Sequence, residues 1–211
     1  MTYENLSPIQ FDALREIGNI GAGNAATALS QLLDQKVNMV IPTVKIVTFD
    51  EMMDLIGGPD ASVVAILFRV FGDAPLHVFF VLSIEEAEVL VQTMTHNSTF
   101  SLMDENSANK INYSVLEEVG NIVAGSYISA LSDFTNLNFQ PSVPHLGIDM
   151  AAAILTYGLI DISQVSDYAI VIDSKVNSED SDNTMKGNLF LLPHPESLQT
   201  IFSSLGIKEY V

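Results

Sequence analysis

Two stretches of this chain repeat each other, and that duplication constrains the fold more than any other feature. REIGNIGAGNAATALSQL from Arg15 and EEVGNIVAGSYISALSDF from Glu117 align without a gap at an offset of 102 positions, Asn19 onto Asn121. Glu16 falls on Glu118, Gly18 on Gly120, Ile20 on Ile122, Ala22 on Ala124, Gly23 on Gly125 and Leu29 on Leu131, and the same offset carries Pro42 onto Pro144. After small insertions, VVAILFRV from Val63 falls on AIVIDSKV from Ala169, and VFFVLSIEEAEVL from Val78 on LFLLPHPESLQTI from Leu189. Self-similarity at a fixed offset means one supersecondary unit used twice. The expected organisation is a single domain over 1–211 built from two repeats, about 7–97 and 109–206, with the polar stretch Ser98 to Ala108 as linker.

Each repeat opens with a helix. In the first, Ser7 reads as N-cap, Pro8 as first helical residue and Gln10 as the third position of a capping box, and the apolar stripe runs through Leu14, Ile17, Ala25, Ala28, Leu29 and Leu32. Extended chain is expected over Val37 to Phe49, interrupted at Pro42, then a short helix from Glu51 to Ile56 ending at Gly57-Gly58. Strands at Val63 to Phe71 and Leu76 to Leu82 join through Gly72-Asp73-Ala74-Pro75 as a hairpin, and a helix from Ile84 to Met94 closes the unit. The second repeat is expected to have helices at Ile111 to Phe134, Asp149 to Tyr157 and Pro195 to Leu205, with strands at Tyr168 to Val176 and Met185 to Leu192. The fold class is α/β (α+β): two αβ(α)ββα halves in a pseudo-twofold layered sandwich, with a largely antiparallel sheet and helices on its faces. Hairpins between successive strands argue against a parallel, doubly wound sheet.

Composition narrows the partners. Of 211 residues 48% are hydrophobic, enough to bury a core, and 26 acidic residues against 8 basic ones give a net charge of −18. That field repels phosphate backbones and anionic lipid, so nucleic acid and membrane insertion are not expected. The absence of cysteine excludes disulfides, thiolate metal sites and cysteine nucleophiles, and fits a reducing cytoplasm. The opening MTYENLSP does not resemble a secretory signal, and the most apolar windows, Val63 to Phe71 and Val78 to Leu82, are about half the length of a membrane-spanning helix. The expected location is cytoplasmic.

Polar residues on the opening helices are the candidates for chemistry. Asp12, Glu16 and Asn19 stand at i, i+4 and i+7, and Ser114, Glu118 and Asn121 occupy the matching places. At about 100° per residue each trio lies on one helix face. A solvated face is the ordinary reading for one such helix, but here a carboxylate and a carboxamide recur with identical spacing in two halves that differ at most surface positions. Gly18, Gly21 and Gly23 lie inside a helix that each weakens by about 1 kcal/mol relative to alanine. Their G-x-x-G-x-G order, following a helix, does not suit a nucleotide cradle. Close approach of helix backbones, with Ala124 and Gly125 opposite, is the expected reason, and missing side chains also leave Glu16 and Asn19 accessible.

Other features carry less. His77, His96, His145 and His194 are scattered without metal-ligand spacing, and His145, next to Pro144, reads as structural. Glu179-Asp180-Ser181-Asp182-Asn183 lacks the glycine and distal glutamate of a calcium loop and reads as a solvated turn. No G-x-S-x-G elbow occurs.

The pattern Asp or Ser, three residues, Glu, two residues, Asn, then twenty-two residues and Pro resembles the signature of the CheC/CheX/FliY phosphatases of chemotaxis. Asp12, Glu16, Asn19 and Pro42 supply it once; Ser114, Glu118, Asn121 and Pro144 supply it again. Two copies in a chain of this length are most similar to the CheC branch. The resemblance implies hydrolysis of the aspartyl phosphate of the response regulator CheY, without a covalent intermediate on this chain and with no cofactor of its own, the Mg²⁺ belonging to CheY. It implies that Asn19 and Asn121 hold the attacking water, that Glu16 and Glu118 pair with an active-site lysine of CheY, and that Asp12, Ser114, Pro42 and Pro144 support the motif. It further implies a second partner, the receptor deamidase CheD, for which Asp149, Met150, Ala153 and Ile154, read as part of a small-residue helix, are the candidate surface; core packing is the plainer reading of that helix. The competing function is a non-catalytic module that sequesters phospho-CheY, CheD or a flagellar switch component.

Overall fold

The computed structural model describes residues 6–34, 36–102, 110–159, 168–178 and 184–207. The first half runs α1 (Pro8–Leu33), β1 (Val37–Thr48), α2 (Phe49–Leu55), β2 (Ser62–Gly72), β3 (Leu76–Ser83) and α3 (Ile84–Thr95). The second runs α4 (Lys110–Thr135), β4 (Phe139–Pro141), β5 (His145–Met150), α5 (Ala151–Leu159), β6 (Tyr168–Ser178), β7 (Thr184–Pro193) and α6 (Pro195–Ser204). Residues 179–183 and the later part of the expected linker, 103–108, lie outside the described residues.

Local chemistry explains the boundaries. The Ser7 backbone N–H donates to the Gln10 carboxamide oxygen at 2.7 Å, closing the entrance of α1, while Thr48 with Glu51 and Ser83 with Glu86 form reciprocal capping boxes for α2 and α3. Helices α1 and α4 end alike: Asp34 and Asn136, again 102 positions apart, take the left-handed conformation at φ 49° and 57°. One turn before each, Ser30 accepts from the Val37 N–H at 2.9 Å and Ser132 donates to the Leu137 carbonyl at 2.6 Å, tying each helix to the segment that follows.

The seven strands form one antiparallel sheet in the order β1-β6-β7-β3-β2-β4, with β5 also paired to β2. From the central β3–β7 pair outward, the second-half hairpin β6–β7 is flanked by β1 of the first half, and the first-half hairpin β2–β3 by β4 and β5 of the second. Side chains alternate between two cores. Val64, Ile66, Phe68, Val78, Phe80 and Leu82 point to the face covered by α1, α3, α4 and α6, whereas Val63, Ala65, Phe79 and Val81 point to the face covered by α2 and α5. Burial on both faces is why β2 and β3 read as continuous apolar runs instead of alternating ones. The turn between them needs Gly72: its φ is 122°, and a Cβ there would collide with the Asn138 carbonyl oxygen.

Three expectations change. Between Phe139 and Met150 the chain makes two short strands, so Asp149 and Met150 belong to β5 and not to the helix assigned to them. Pro141, Pro144 and Gly147 break the alternation that would have marked these strands. The stretch expected as a wholly polar linker begins with Phe100 buried in the core, its carbonyl accepting from the Gln92 side chain at 2.8 Å. Leu32, assigned to the core stripe of α1, is 40% exposed, because the buried stripe continues from Leu29 to Leu33, which packs against the core, and Leu32 lies to its side. Within β1 the pairing to β6 shifts register between Val40 and Thr43, across Pro42, which lacks the N–H a regular ladder requires.

Candidate functional site

Helices α1 and α4 pack side by side in one layer, and each is anchored by its apolar stripe. Leu14, Ile17, Gly18, Gly21, Ala22, Ala25 and Leu29 are buried on α1; Leu116, Val119, Gly120, Val123, Ala124, Tyr127, Ile128 and Leu131 are buried on α4. The opposite stripes therefore face solvent. Asp12, Glu16 and Asn19 are exposed on α1, as are Ser114, Glu118 and Asn121 on α4. Helical spacing sets each carboxylate and carboxamide, three residues apart, as neighbours with Cβ atoms about 5–6 Å from each other. The side chains of Glu16, Asn19, Glu118 and Asn121 make no hydrogen bond or ion pair within the described residues. Four polar side chains on packed helices thus present their donors and acceptors outward, with no partner among the described residues to explain them.

The two faces differ in charge. On α1, Arg15 Nη2 donates to Asp12 Oδ1 at 2.8 Å, an exposed pair that partly neutralises the approach to Glu16. On α4 the positions of Asp12 and Arg15 are taken by Ser114 and Glu117, so the second face is the more acidic. The i, i+3 spacing of Asp12 and Arg15 is the signal in the sequence that would have revealed this pair. Pro144 lies half-buried in the segment leading into β5. Of Pro42 only the backbone is described, within β1.

The helical glycines divide. Gly18 and Gly21 are buried, and a Cβ on Gly21 would sit 2.8 Å from the Tyr127 ring and 3.0 Å from its Cα; one on Gly120 would meet Ile66 at 2.8 Å. The approach at Gly21 is the helix-to-helix closeness expected, whereas Gly120 lies against the sheet, at Ile66 of β2. Gly23 and Gly125 correct that expectation, since a Cβ at either would find nothing within 4 Å.

A second surface lies across the sheet. Ala65, Leu67, Phe79, His145, Gly147, Asp149, Ala153 and Ile154 line an open cavity of about 340 Å³ where β5 meets α5. Asp149, Ala153 and Ile154 line it together, the last two half-buried, whereas Met150, 47% exposed, follows Asp149 on β5 with the alternation that turns it to the other face of the sheet; three of the four residues named as a candidate partner surface therefore adjoin one another, on a strand and a helix instead of one helix. The cavity itself had no sequence signal, because its walls come from three separated segments of the chain. No group of three or more potential metal-ligating side chains occurs among the described residues, and no helix among them is long and apolar enough to cross a membrane.

The CheC-like family matches this sequence twice, over residues 9–46 and 112–148, the segments that carry the two helix faces. Over 204 residues the chain is 38% identical to the CheY-P phosphatase CheC of Bacillus subtilis, covering 97% of each protein. The chain belongs to the CheC-like family. Its fold is shared more widely: the crystal structure of Thermotoga maritima FliY superposes with a TM-score of 0.70 at 19% identity, over 97% of this chain and 99% of that one. CheX in the Borrelia burgdorferi CheX–CheY–BeF₃–Mg²⁺ complex superposes at 0.52 with 15% identity, over 82% of this chain and 96% of the other. The antiparallel sheet with helices on its faces is thus the architecture of this CheC-like chain and of its structural neighbours.

Proposed function

We propose that this protein is a chemotaxis phosphatase that hydrolyses the aspartyl phosphate of a CheY-type response regulator, using the α1 and α4 faces as two copies of one site. The observation that carries this reading is the pair of exposed Glu–Asn sets, Glu16 with Asn19 and Glu118 with Asn121, whose side chains have no partner among the described residues and stand at identical spacing on two packed helices. The B. subtilis relative named as a CheY-P phosphatase, and the capture of CheX with BeF₃- and Mg²⁺-bearing CheY, support the choice of substrate.

The chemistry suits these groups. An acyl phosphate held by the regulator's own Mg²⁺ needs an attacking water fixed in line, and a carboxamide can both donate to and accept from that water. Asn19 or Asn121 inserts beside the phosphate and orients the water. The water's oxygen bonds to phosphorus, the bond to the regulator's aspartate oxygen breaks, the carboxylate leaves, and the water's displaced proton passes to the released phosphate. Glu16 or Glu118 pairs with the regulator's active-site lysine and sets the register of the inserted helix. Holding the water in place removes an orientational cost from the barrier and requires no cofactor bound to this chain.

The β5–α5 surface bearing Asp149, Ala153 and Ile154 is the proposed docking site for CheD. An open, mostly apolar cavity lined by the exposed carboxylate of Asp149 with Ala153 and Ile154 supports it.

Turnover by substoichiometric protein separates catalysis from sequestration. Phosphate released from phospho-CheY in many-fold excess over this protein is the expected result; release that stops at two equivalents or fewer would make it a binding module.

A further inference from the structure

Most glycines inside α1 and α4 have an internal reason to be glycine. Gly18, Gly21 and Gly120 are buried, and Gly21 and Gly120 lie against Tyr127 and Ile66 too closely for a Cβ. Gly23 and Gly125 do not fit that account. A Cβ at either position enters open space, and neither has the positive φ that would favour glycine. Alanine there would strengthen the helix at no packing penalty. Yet glycine stands at the same place in both repeats, in helices whose neighbouring positions have diverged: Asn24, exposed, against half-buried Ser126, and Arg15, exposed, against half-buried Glu117.

Their position supplies the reason. Gly23 lies one turn beyond Asn19 on the stripe that begins at Asp12 and Glu16, and Gly125 lies one turn beyond Asn121. The Thr27 hydroxyl donates to the Gly23 carbonyl at 2.9 Å, so this carbonyl is satisfied within the helix, and the position where a side chain would stand is open. Asparagine is short, and its carboxamide reaches a partner's acyl phosphate only if the partner's backbone comes nearly against the helix. A side chain one turn away on the same stripe would hold that backbone off.

We infer that Gly23 and Gly125 are clearance positions that let the phosphorylated regulator seat closely enough for Asn19 and Asn121 to reach its phosphate. The inference rests on the phosphatase reading above and adds two residues that set how near the substrate comes.

The test compares Gly23→Ala/Gly125→Ala, Gly23→Gln/Gly125→Gln and Asn19→Ala/Asn121→Ala proteins. Melting temperature, steady-state turnover of phospho-CheY, and affinity for CheY loaded with BeF₃ and Mg²⁺ are measured for each. The alanine pair is expected to melt higher, by about 2–4 °C per substitution, while kcat/KM falls about tenfold and affinity falls in parallel. The glutamine pair should lose more of both. A structural glycine would give the opposite sign in melting temperature. Parental turnover and affinity in the alanine pair, or a lowered melting temperature, would overturn the inference. Loss of turnover in the asparagine pair alongside parental behaviour in the glycine variants would sink the clearance role alone; parental turnover in the asparagine pair would sink the phosphatase reading itself.

Discussion

A side chain that holds a water for another molecule's chemistry must not be claimed by its own fold, and Asn19 and Asn121 meet that condition: both side chains are exposed and make no hydrogen bond among the described residues. Asn19→Ala and Asn121→Ala are each expected to silence one face, and the double change to abolish turnover. Because truncation of an exposed helical side chain shifts stability by less than about 0.5 kcal/mol, chemical denaturation of the double variant should superpose on that of the parent. A folded double variant with the original rate would end the water-positioning role. The carboxylates should behave differently. Glu16→Gln and Glu118→Gln remove a charge assigned to pairing with lysine, so KM should rise several-fold with kcat nearly held, and added salt should affect the variants less than the parent. A fall in kcat at unchanged KM would instead place the carboxylate in the transition state. The Asp12–Arg15 pair is solvent-exposed and contributes little to stability.

At the scale of the element, α1 and α4 must approach closely while keeping their outer stripes clear. Gly21 makes the approach possible, with the Tyr127 ring and backbone where a Cβ would otherwise stand. The repeat carries the complementary sizes at the equivalent positions, Val123 for Gly21 and Ala25 for Tyr127, so bulk removed from one helix is restored on the other. Gly21→Ala is expected to force the helices apart and lower stability by about 1–3 kcal/mol, read from the midpoint of urea unfolding. An unchanged midpoint would mean that the Tyr127 ring rotates away at no cost. Much of this element was readable beforehand. Ser7, Pro8 and Gln10 announced the start of α1, and the Glu–Asn spacing announced its outer face. The separation of Gly21 from Gly23 was not readable, because two glycines two positions apart look alike until it is known which one faces a neighbouring helix.

For the whole molecule, the sheet order makes each half depend on the other. The β6–β7 hairpin lies between β1 and β3, and the β2–β3 hairpin between β7 and the short strands β4 and β5. A fragment ending at residue 102 would expose the β3 edge that β7 covers, together with the apolar face of α1 that α4 covers. Neither half should therefore exist as a folded monomer: each should be unfolded, or should pair with a second copy of itself that imitates the missing half. Near-UV circular dichroism combined with sedimentation would decide. A half that sediments as a monomer and unfolds cooperatively would show that the repeats are independent.

The sequence alone was sufficient for whatever is encoded by local spacing. Caps, helical stripes, the β2–β3 turn at Gly72 and the two Glu–Asn faces all depend on residues within a few positions of one another, where backbone geometry leaves few alternatives. The duplication added the antiparallel, layered arrangement, because two copies of a hairpin-containing unit have few ways to share a core. Only the tertiary structure decided the interleaving of strands from the two halves, the short β4 and β5 at the edge of the sheet, the cavity beside α5 and the different duties of Gly21 and Gly23. Each of these depends on which surfaces meet across long separations in the chain, and burial at such contacts is set by packing of the whole, which no local pattern carries.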